Sequence, residues 1–337
     1  MQSCNVQPAS VWPHRIAVAL VATTFPLIWV GGLVTTYEAG MAVPDWPSTF
    51  GYNLFLYPWQ TWFFGPWDLF IEHGHRLLGA LAGLLTIALA MSLVRCDART
   101  WIRWLGLAAI VAVVAQGVLG GMRVLMDERL LAKIHGCTGP LFFGLAVALA
   151  AFTSRRWREL PQPRVAESAG KLQRLALLTT FFAFVQIVLG AQLRHVSAGL
   201  DAGGFRVAVL FHLFMAAVLA VHVVLLATRV LRGFRGEPWL VRPVVGLLLL
   251  IGLQLTLGTG AWIVNYGWPV WFGDYAFAQN YVVTQESQSQ ALVTTGHVAA
   301  GSLILVTSLL VALRSLRLLR SPTRRVELST LAVGVVA

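Results

Sequence analysis

Apolar residues in this chain gather into long runs separated by short polar segments. Eight of the runs are long enough to cross a hydrocarbon core, which takes about 20 residues as helix. They lie near residues 16–34, 75–94, 104–122, 131–152, 174–193, 206–228, 240–264 and 291–313. Arg15 ahead of the first run has the look of a signal peptide's basic region. No small-residue cleavage site precedes Gly31-Gly32, however, and the run is long enough to span, so it is read as a helix.

Composition agrees with the pattern. Of 337 residues, 57% are hydrophobic and 12% charged, against about a quarter charged in soluble proteins. The fold class is therefore an all-α integral membrane protein. The net charge of +11 invites a nucleic-acid reading, which its distribution rejects. With the N-terminus taken as cytoplasmic, 19 basic residues fall on the inner side and six on the outer: Arg76, Arg123, Arg129, Lys133, Arg194 and Arg206. By the positive-inside rule both termini are cytoplasmic, in the inner membrane of a prokaryote, and the partner of the basic surface is the lipid bilayer. Cysteine chemistry contributes little. Cys4 and Cys96 lie on the inner side and Cys137 in the fourth span, with no C-x-x-C or C-x-x-C-H.

Three odd-numbered runs end alike: Gln116-Gly-Val-Leu-Gly120, Gln186-Ile-Val-Leu-Gly190 and Gln254-Leu-Thr-Leu-Gly258, with a weaker version at Gly31-Gly32. Each is followed by an outer loop and then a run carrying a histidine: His75, His135, His212 or His297. The unit of helix, outer loop and histidine-bearing helix thus occurs four times, as internal repeats do in membrane proteins. Small residues at the repeated glycines let helix backbones approach closely. The simplest folding is two pseudo-symmetric four-helix bundles, 1–153 and 171–320, with a cytoplasmic linker 154–170 and a tail 321–337.

Ionisable side chains at membrane depth are rare and functional, and imidazole is a standard axial ligand of haem iron. His212 and His297 lie about seven residues inside their runs, roughly 10 Å along a helix. His75 and His135 lie closer to the outer surface, so depth pairs 75 with 135 and 212 with 297. Two ligands per iron make this one haem per bundle. His222 is about 80° around the helix from His212 and has no repeat partner, so it is read as structural. His14, His73 and His195 sit at membrane edges and are given no role.

Glu72 precedes His75 by three residues and shares its helix face. A carboxylate there can stabilise positive charge, transfer a proton or orient a substrate, or it can pair with Arg76 four residues on. Arg76 can equally bind a haem propionate. Two long outer segments, 35–71 and 265–290, are aromatic-rich loops covering the histidine end. Trp59, Trp62 and Trp67 need no role beyond the membrane interface.

Together these residues resemble the haem A synthase family. The features that carry the resemblance are Gly40-Met-Ala-Val-Pro-Asp-Trp-Pro47, Glu72-x-x-His75-Arg76, the Leu-Gly repeats, and single histidines in the fourth, sixth and eighth runs. The resemblance covers essentially the whole chain. It implies haem b between His212 and His297, and the substrate haem O between His75 and His135. It further implies oxidation of a haem O methyl group to a formyl by successive hydroxylation with oxygen from water, with Glu72 assisting. The iron ligands are then His75, His135, His212 and His297, and the catalytic set Glu72, His75 and His135, with Arg76 on the cofactor. Implied partners are a haem O synthase, cytochrome oxidase assembly factors and an electron acceptor of unknown identity. Many bacterial members carry a cysteine pair flanking the Trp-Pro of the first outer loop, and the mitochondrial branch lacks it. This chain has no cysteine between Cys4 and Cys96, so no thiol pair in that loop carries electrons. The rival readings are a non-enzymatic di-haem membrane cytochrome b and a haem-binding assembly or transport protein. Neither needs a carboxylate beside only one histidine.

Overall fold

The computed structural model describes residues 10–196, 200–267 and 287–322. Among them are eight helices long and apolar enough to cross a membrane: Trp12–Thr36, Trp67–Cys96, Thr100–Met126, Arg129–Thr153, Ala169–Arg194, Ala202–Gly233, Pro238–Tyr266 and Gln288–Leu318. The chain is an all-α, multi-pass integral membrane protein. Every span overruns its apolar run at both ends, because terminal turns reach the polar headgroup region. A window of apolar residues stops at the first charges, whereas the backbone hydrogen bonds continue. Sequence sets the ends locally. Asp201 caps the sixth span by accepting the Gly204 N–H at 2.5 Å, and Ser287 and Gln290 form a capping box on the eighth.

The largest departure from the sequence reading is in the first outer segment, expected as loop over 35–71. The second span already begins at Trp67, with Pro66 at its N-cap and the Phe70 N–H donating to the Pro66 carbonyl at 2.9 Å. Asp68, Glu72, His73 and Arg76 lower the hydropathy of this first stretch without interrupting its helix. A short helix, Trp59–Phe63, and a single turn, Ala39–Met41, form within the same segment. The second outer segment, 265–290, falls mostly outside the described residues, as do the centre of the 194–206 loop and the tail beyond 322.

The chain divides into two compact units, residues 1–159 and 160–337. In the first, successive spans pack on one another and the fourth closes against the first. Its core is Leu20, Leu89, Leu93, Ile102 and Leu149, all fully buried and all toward the end away from His75 and His135. In the second unit the fifth to eighth spans form the same ring. Leu172, Leu226, Val230, Leu240, Leu247 and Val311 close it at the end away from His212 and His297. The fourth and eighth spans are the most enclosed, with 50% and 56% of their apolar stretches buried against 17–28% for the others. Ala299, Ala300, Ser302, Ser308, Ala312 and Ser315 give the eighth span the small surface that close packing requires. Within the second unit the linker contributes a two-residue strand, Arg164–Val165, paired in parallel with Leu319–Arg320.

Candidate functional site

His75 is eight residues past Trp67, His135 six past Arg129, His212 ten past Ala202 and His297 nine past Gln288. The first pair thus lies nearer its helix starts than the second, and His75 is about two turns inside its span because that span begins at Trp67.

Each histidine ring rests on the repeat glycine of the preceding span. A Cβ built on Gly31 would lie 2.7 Å from Cε1 of His75, and one on Gly120 would lie 3.1 Å from Cε1 of His135. The matching distances are 3.3 Å for Gly190 and His212, and 2.8 Å for Gly258 and His297. The glycines therefore make room for an imidazole, a more specific reason than close helix approach. This is the most regular feature of the molecule: one glycine, one histidine, four times.

The rings meet in pairs. His75 and His135 have ring centroids 6.4 Å apart, and His212 and His297 6.3 Å apart. Two imidazoles on opposite faces of one metal, with nitrogen–metal bonds of about 2 Å and ring radii of about 1.2 Å, place their centroids roughly 6.4 Å apart. Among the described residues no three His, Cys, Asp or Glu side chains cluster as a metal site. Two axial nitrogens fit an ion that brings its own equatorial ligands, which is what a haem does. Buried atoms without hydrogen-bond partners point the same way: Nδ1 of His75 and His135, and Oε1 of Gln186 and Gln254.

Beyond the iron ligands, the two units differ. In the second, the repeat glutamines hold the rings. Gln186 Nε2 lies 3.1 Å from Nε2 and 3.2 Å from Nδ1 of His212, and Gln254 Nε2 lies 3.4 Å from Nε2 of His297. Nδ1 of His297 donates to the Gln254 carbonyl at 3.2 Å, which leaves Nε2 as the metal-facing nitrogen. In the first unit, Gln116 instead donates to the Thr138 hydroxyl, and Leu27 occupies the remaining repeat position. The repeat signature showed these glutamines without showing that they reach the histidines.

The first unit carries a polar clamp with no counterpart among the described residues of the second. Glu72 is 2% exposed; its Oε1 accepts from Arg76 Nη2 at 2.8 Å and its Oε2 from the Val43 N–H at 2.8 Å. Arg76 also donates to the carbonyls of Val43 at 2.8 Å, Asp45 at 2.7 Å and Ser48 at 2.9 Å. Three donated bonds commit this guanidinium to the outer loop and a fourth to Glu72, so Arg76 positions the loop on the second span. Asp45 in turn accepts from Ser48 Oγ at 2.5 Å and from the Phe50 and Gly51 N–H groups at 2.8 and 2.9 Å. Burial pushes the Asp45 carboxyl up, but these donors outweigh it and hold it below its ordinary value.

The loop is also fixed by packing. The Trp46 indole occupies the space a side chain would take at Gly121, next to the Gly120 on which His135 rests. Arg123 reaches up from the third span and donates to the Gly40 carbonyl at 3.1 Å. His73, given no role as an edge residue, is 2% exposed. Its Nδ1 lies 3.1 Å from Thr49 Oγ1, and its ring lies between Tyr57 and Trp62, with centroids at 5.2 and 5.5 Å. Trp62 and Trp67 each stack on Phe70 at 5.5 Å, so Trp62 ties the outer segment to the first turn of the second span. His222 Nδ1 donates to the Val218 carbonyl of its own helix at 2.9 Å, and the ring packs edge-on to Phe182.

Residues 66–207 match the family model described as Cytochrome oxidase assembly protein. Three curated relatives are heme A synthases. That of Shouchella clausii (strain KSM-K16) is 28% identical over 52% of this chain and 56% of its own. That of Symbiobacterium thermophilum (strain DSM 24528 / JCM 14929 / IAM 14863 / T) is 27% identical over 56% and 62%. That of Geobacillus kaustophilus (strain HTA426) is 25% identical over 72% and 80%. Over these stretches the chain is similar to the haem A synthases. It spans somewhat more than half the length of the first two relatives. The matched model takes in Glu72, His75, Arg76 and His135 and ends before His212. The asymmetry between the two histidine pairs is the feature that bears on chemistry.

Proposed function

We propose that the protein oxidises a methyl group of haem O to a formyl group, supplying haem A to cytochrome oxidase. In this reading His75 and His135 hold the substrate, and His212 and His297 hold a resident haem b. The single observation that carries it is Glu72, a buried carboxylate on the helix face of one ligand, His75, and of no other. The positions three residues before His135, His212 and His297 hold Ala132, Val209 and Thr294. A di-haem electron carrier has no use for that inequality.

Each hydroxylation adds oxygen from water to the methyl carbon and releases two electrons and two protons. The second yields a geminal diol that loses water to the aldehyde. Haem b, when bound, supplies one-electron redox chemistry, and the four electrons of the two hydroxylations leave to an electron acceptor outside the chain. The residues of the chain supply charge and position. A carbon losing electrons becomes electron-poor, and a fixed carboxylate in a low-dielectric site stabilises it and accepts the proton of the incoming water. Arg76 and the Val43 N–H keep Glu72 from swinging away, and each carboxylate oxygen retains a free lone pair. Trp46 and the loop cover the outer side of the pair and exclude bulk water. Haem O synthase and oxidase assembly factors are the proposed suppliers and recipients. The test is expression in a host making haem O, followed by mass spectrometry of the extracted pigments. Haem A or its hydroxylated precursor is the expected result; unaltered haem O overturns the assignment.

A further inference from the structure

The second unit contains a cleft of about 660 Å³ at the end remote from its histidines, between the start of the fifth span and the end of the sixth. Arg229 lies 17 residues beyond His212 on the same helix, about 25 Å along its axis. Four cations line the cleft: Lys171 and Arg174 from the fifth span, Arg229 and Arg232 from the sixth. Within the same unit Arg164 is answered by Glu237 at 2.9 Å. Among the described residues none of the four has an ion pair. Holding four like charges around one cavity is unfavourable unless an anion fills it.

The rest of the lining shows which anion. Leu175, Leu178 and Leu225 continue the cleft along the spans below the cations. Leu178 and Leu225 are 40% and 50% exposed, as are their outward neighbours Leu177, Phe181 and Val224 at 49–58%. On a membrane-spanning helix that exposed apolar surface faces acyl chains. A basic mouth above an apolar wall, opening between two spans on the positive side, matches a phospholipid with its phosphates among the cations. Four cations exceed what one phosphodiester neutralises and suit two. We propose that this cleft is a binding site for a two-phosphate anionic phospholipid of the cardiolipin class. The inference requires only that the chain spans a membrane, so it stands or falls separately from the haem chemistry.

The experiment uses the full-length protein, purified in detergent and stripped of lipid. Cardiolipin, phosphatidylglycerol or phosphatidylcholine is then added, and retained lipid is counted by native mass spectrometry. Wild type should retain cardiolipin at least about tenfold better than phosphatidylcholine, and K171Q/R174Q/R229Q/R232Q should reduce it to the phosphatidylcholine level. R15Q/R95Q neutralises two cations of the first unit, neither of which lines the cleft, and should leave retention within about twofold. Helical circular dichroism and a monodisperse elution profile show that each variant is folded. Equal retention of all three lipids overturns the proposal, as does an equal loss in R15Q/R95Q, which would mean diffuse surface charge. Displacement of cardiolipin by millimolar pyrophosphate would assign the cleft to a soluble anion and overturn the lipid assignment. If the quadruple variant does not fold, R174Q/R232Q, one cation from each helix, is measured against the same control.

Discussion

The two units are built on the same repeat and close the same ring of helices, yet they surround their histidine pairs differently. In the second, glutamines at the repeat positions lie against His212 and His297, and among the described residues nothing acidic approaches either ring. In the first, the glutamine is turned to Thr138 or replaced by Leu27, and the polar groups belong instead to a clamp of Glu72, Arg76 and the 43–51 loop. Duplication supplied the distance between the rings, 6.4 and 6.3 Å, and divergence around the rings supplied the chemistry. A site that only holds a cofactor needs ring orientation. A site that transforms its ligand needs a charge fixed near the reacting carbon.

Removing a ligand is the severest test of that contrast. His212→Ala or His297→Ala should abolish haem b binding, read as loss of the low-spin absorbance of the purified protein. A normal spectrum in both variants would remove the second unit from haem binding altogether. Glu72→Gln comes next. The amide oxygen can still accept from Arg76 while the Val43 N–H bond is lost, and Arg76 keeps its three bonds to loop carbonyls, so the loop should stay in place while haem O oxidation falls by about 10²–10⁴-fold, the usual range for a positioned acid–base group. Arg76→Gln should act through position. It removes three bonds to loop carbonyls and leaves Glu72 buried without its cation, so the 40–52 segment should become protease-sensitive as activity falls. Equal protease sensitivity in both variants would reduce Glu72 to a structural anchor.

Much of this was legible in the sequence, and the exceptions share a physical cause. Eight spans, the repeat and the four histidines follow from long apolar runs and from the cost of an ionisable group at membrane depth. The helical turn Trp67–Glu72 was read as loop because hydropathy measures burial in lipid, whereas helix continuity depends on backbone hydrogen bonds that Asp68 and Glu72 do not disturb. The repeat glycines were found, but their reason lies in a ring on another helix, and spacing within one helix does not show it. The contacts of Arg76 and His73 were hidden for a related reason. Their partners, Val43, Asp45, Ser48 and Thr49, sit 24 to 33 residues away in a loop whose path no periodicity describes.

The glycine positions sharpen the comparison more gently. A methyl group at Gly258 would lie 2.8 Å from His297 Cε1, and one at Gly190 would lie 3.3 Å from that of His212. Overpacking costs about 1–3 kcal/mol, whereas alanine gains up to about 1 kcal/mol over glycine inside a helix. Gly258→Ala should therefore lower the thermal midpoint and weaken pigment binding, while Gly190→Ala should come out near neutral. In the first unit Gly31→Ala, at 2.7 Å from His75, should resemble Gly258→Ala. If all three were neutral, the rings would be free to retreat, and the glycine contacts would not be what sets the spacing of the pairs.

The smallest expected effect concerns acid. Among the described residues only the first unit is capped by a loop fixed through a carboxylate outside the spans, and that unit should loosen as the carboxylate is protonated. The folded-state value for Asp45 lies below the ordinary 3.8, so its contribution is fully present above about pH 4 and is lost as pH falls through that lower value. Hydrogen exchange over residues 43–52 should accelerate, relative to the intrinsic rate, between about pH 4 and pH 2, with no matching change around Gln186 and His212. Asp45→Asn keeps one acceptor but removes the titration, so its exchange should be faster at neutral pH and flat through the acid range. An unchanged acid transition in Asp45→Asn would transfer the effect to another group. A parallel transition in the second unit would mean that acid loosens both bundles alike, and that the clamp is not what distinguishes them.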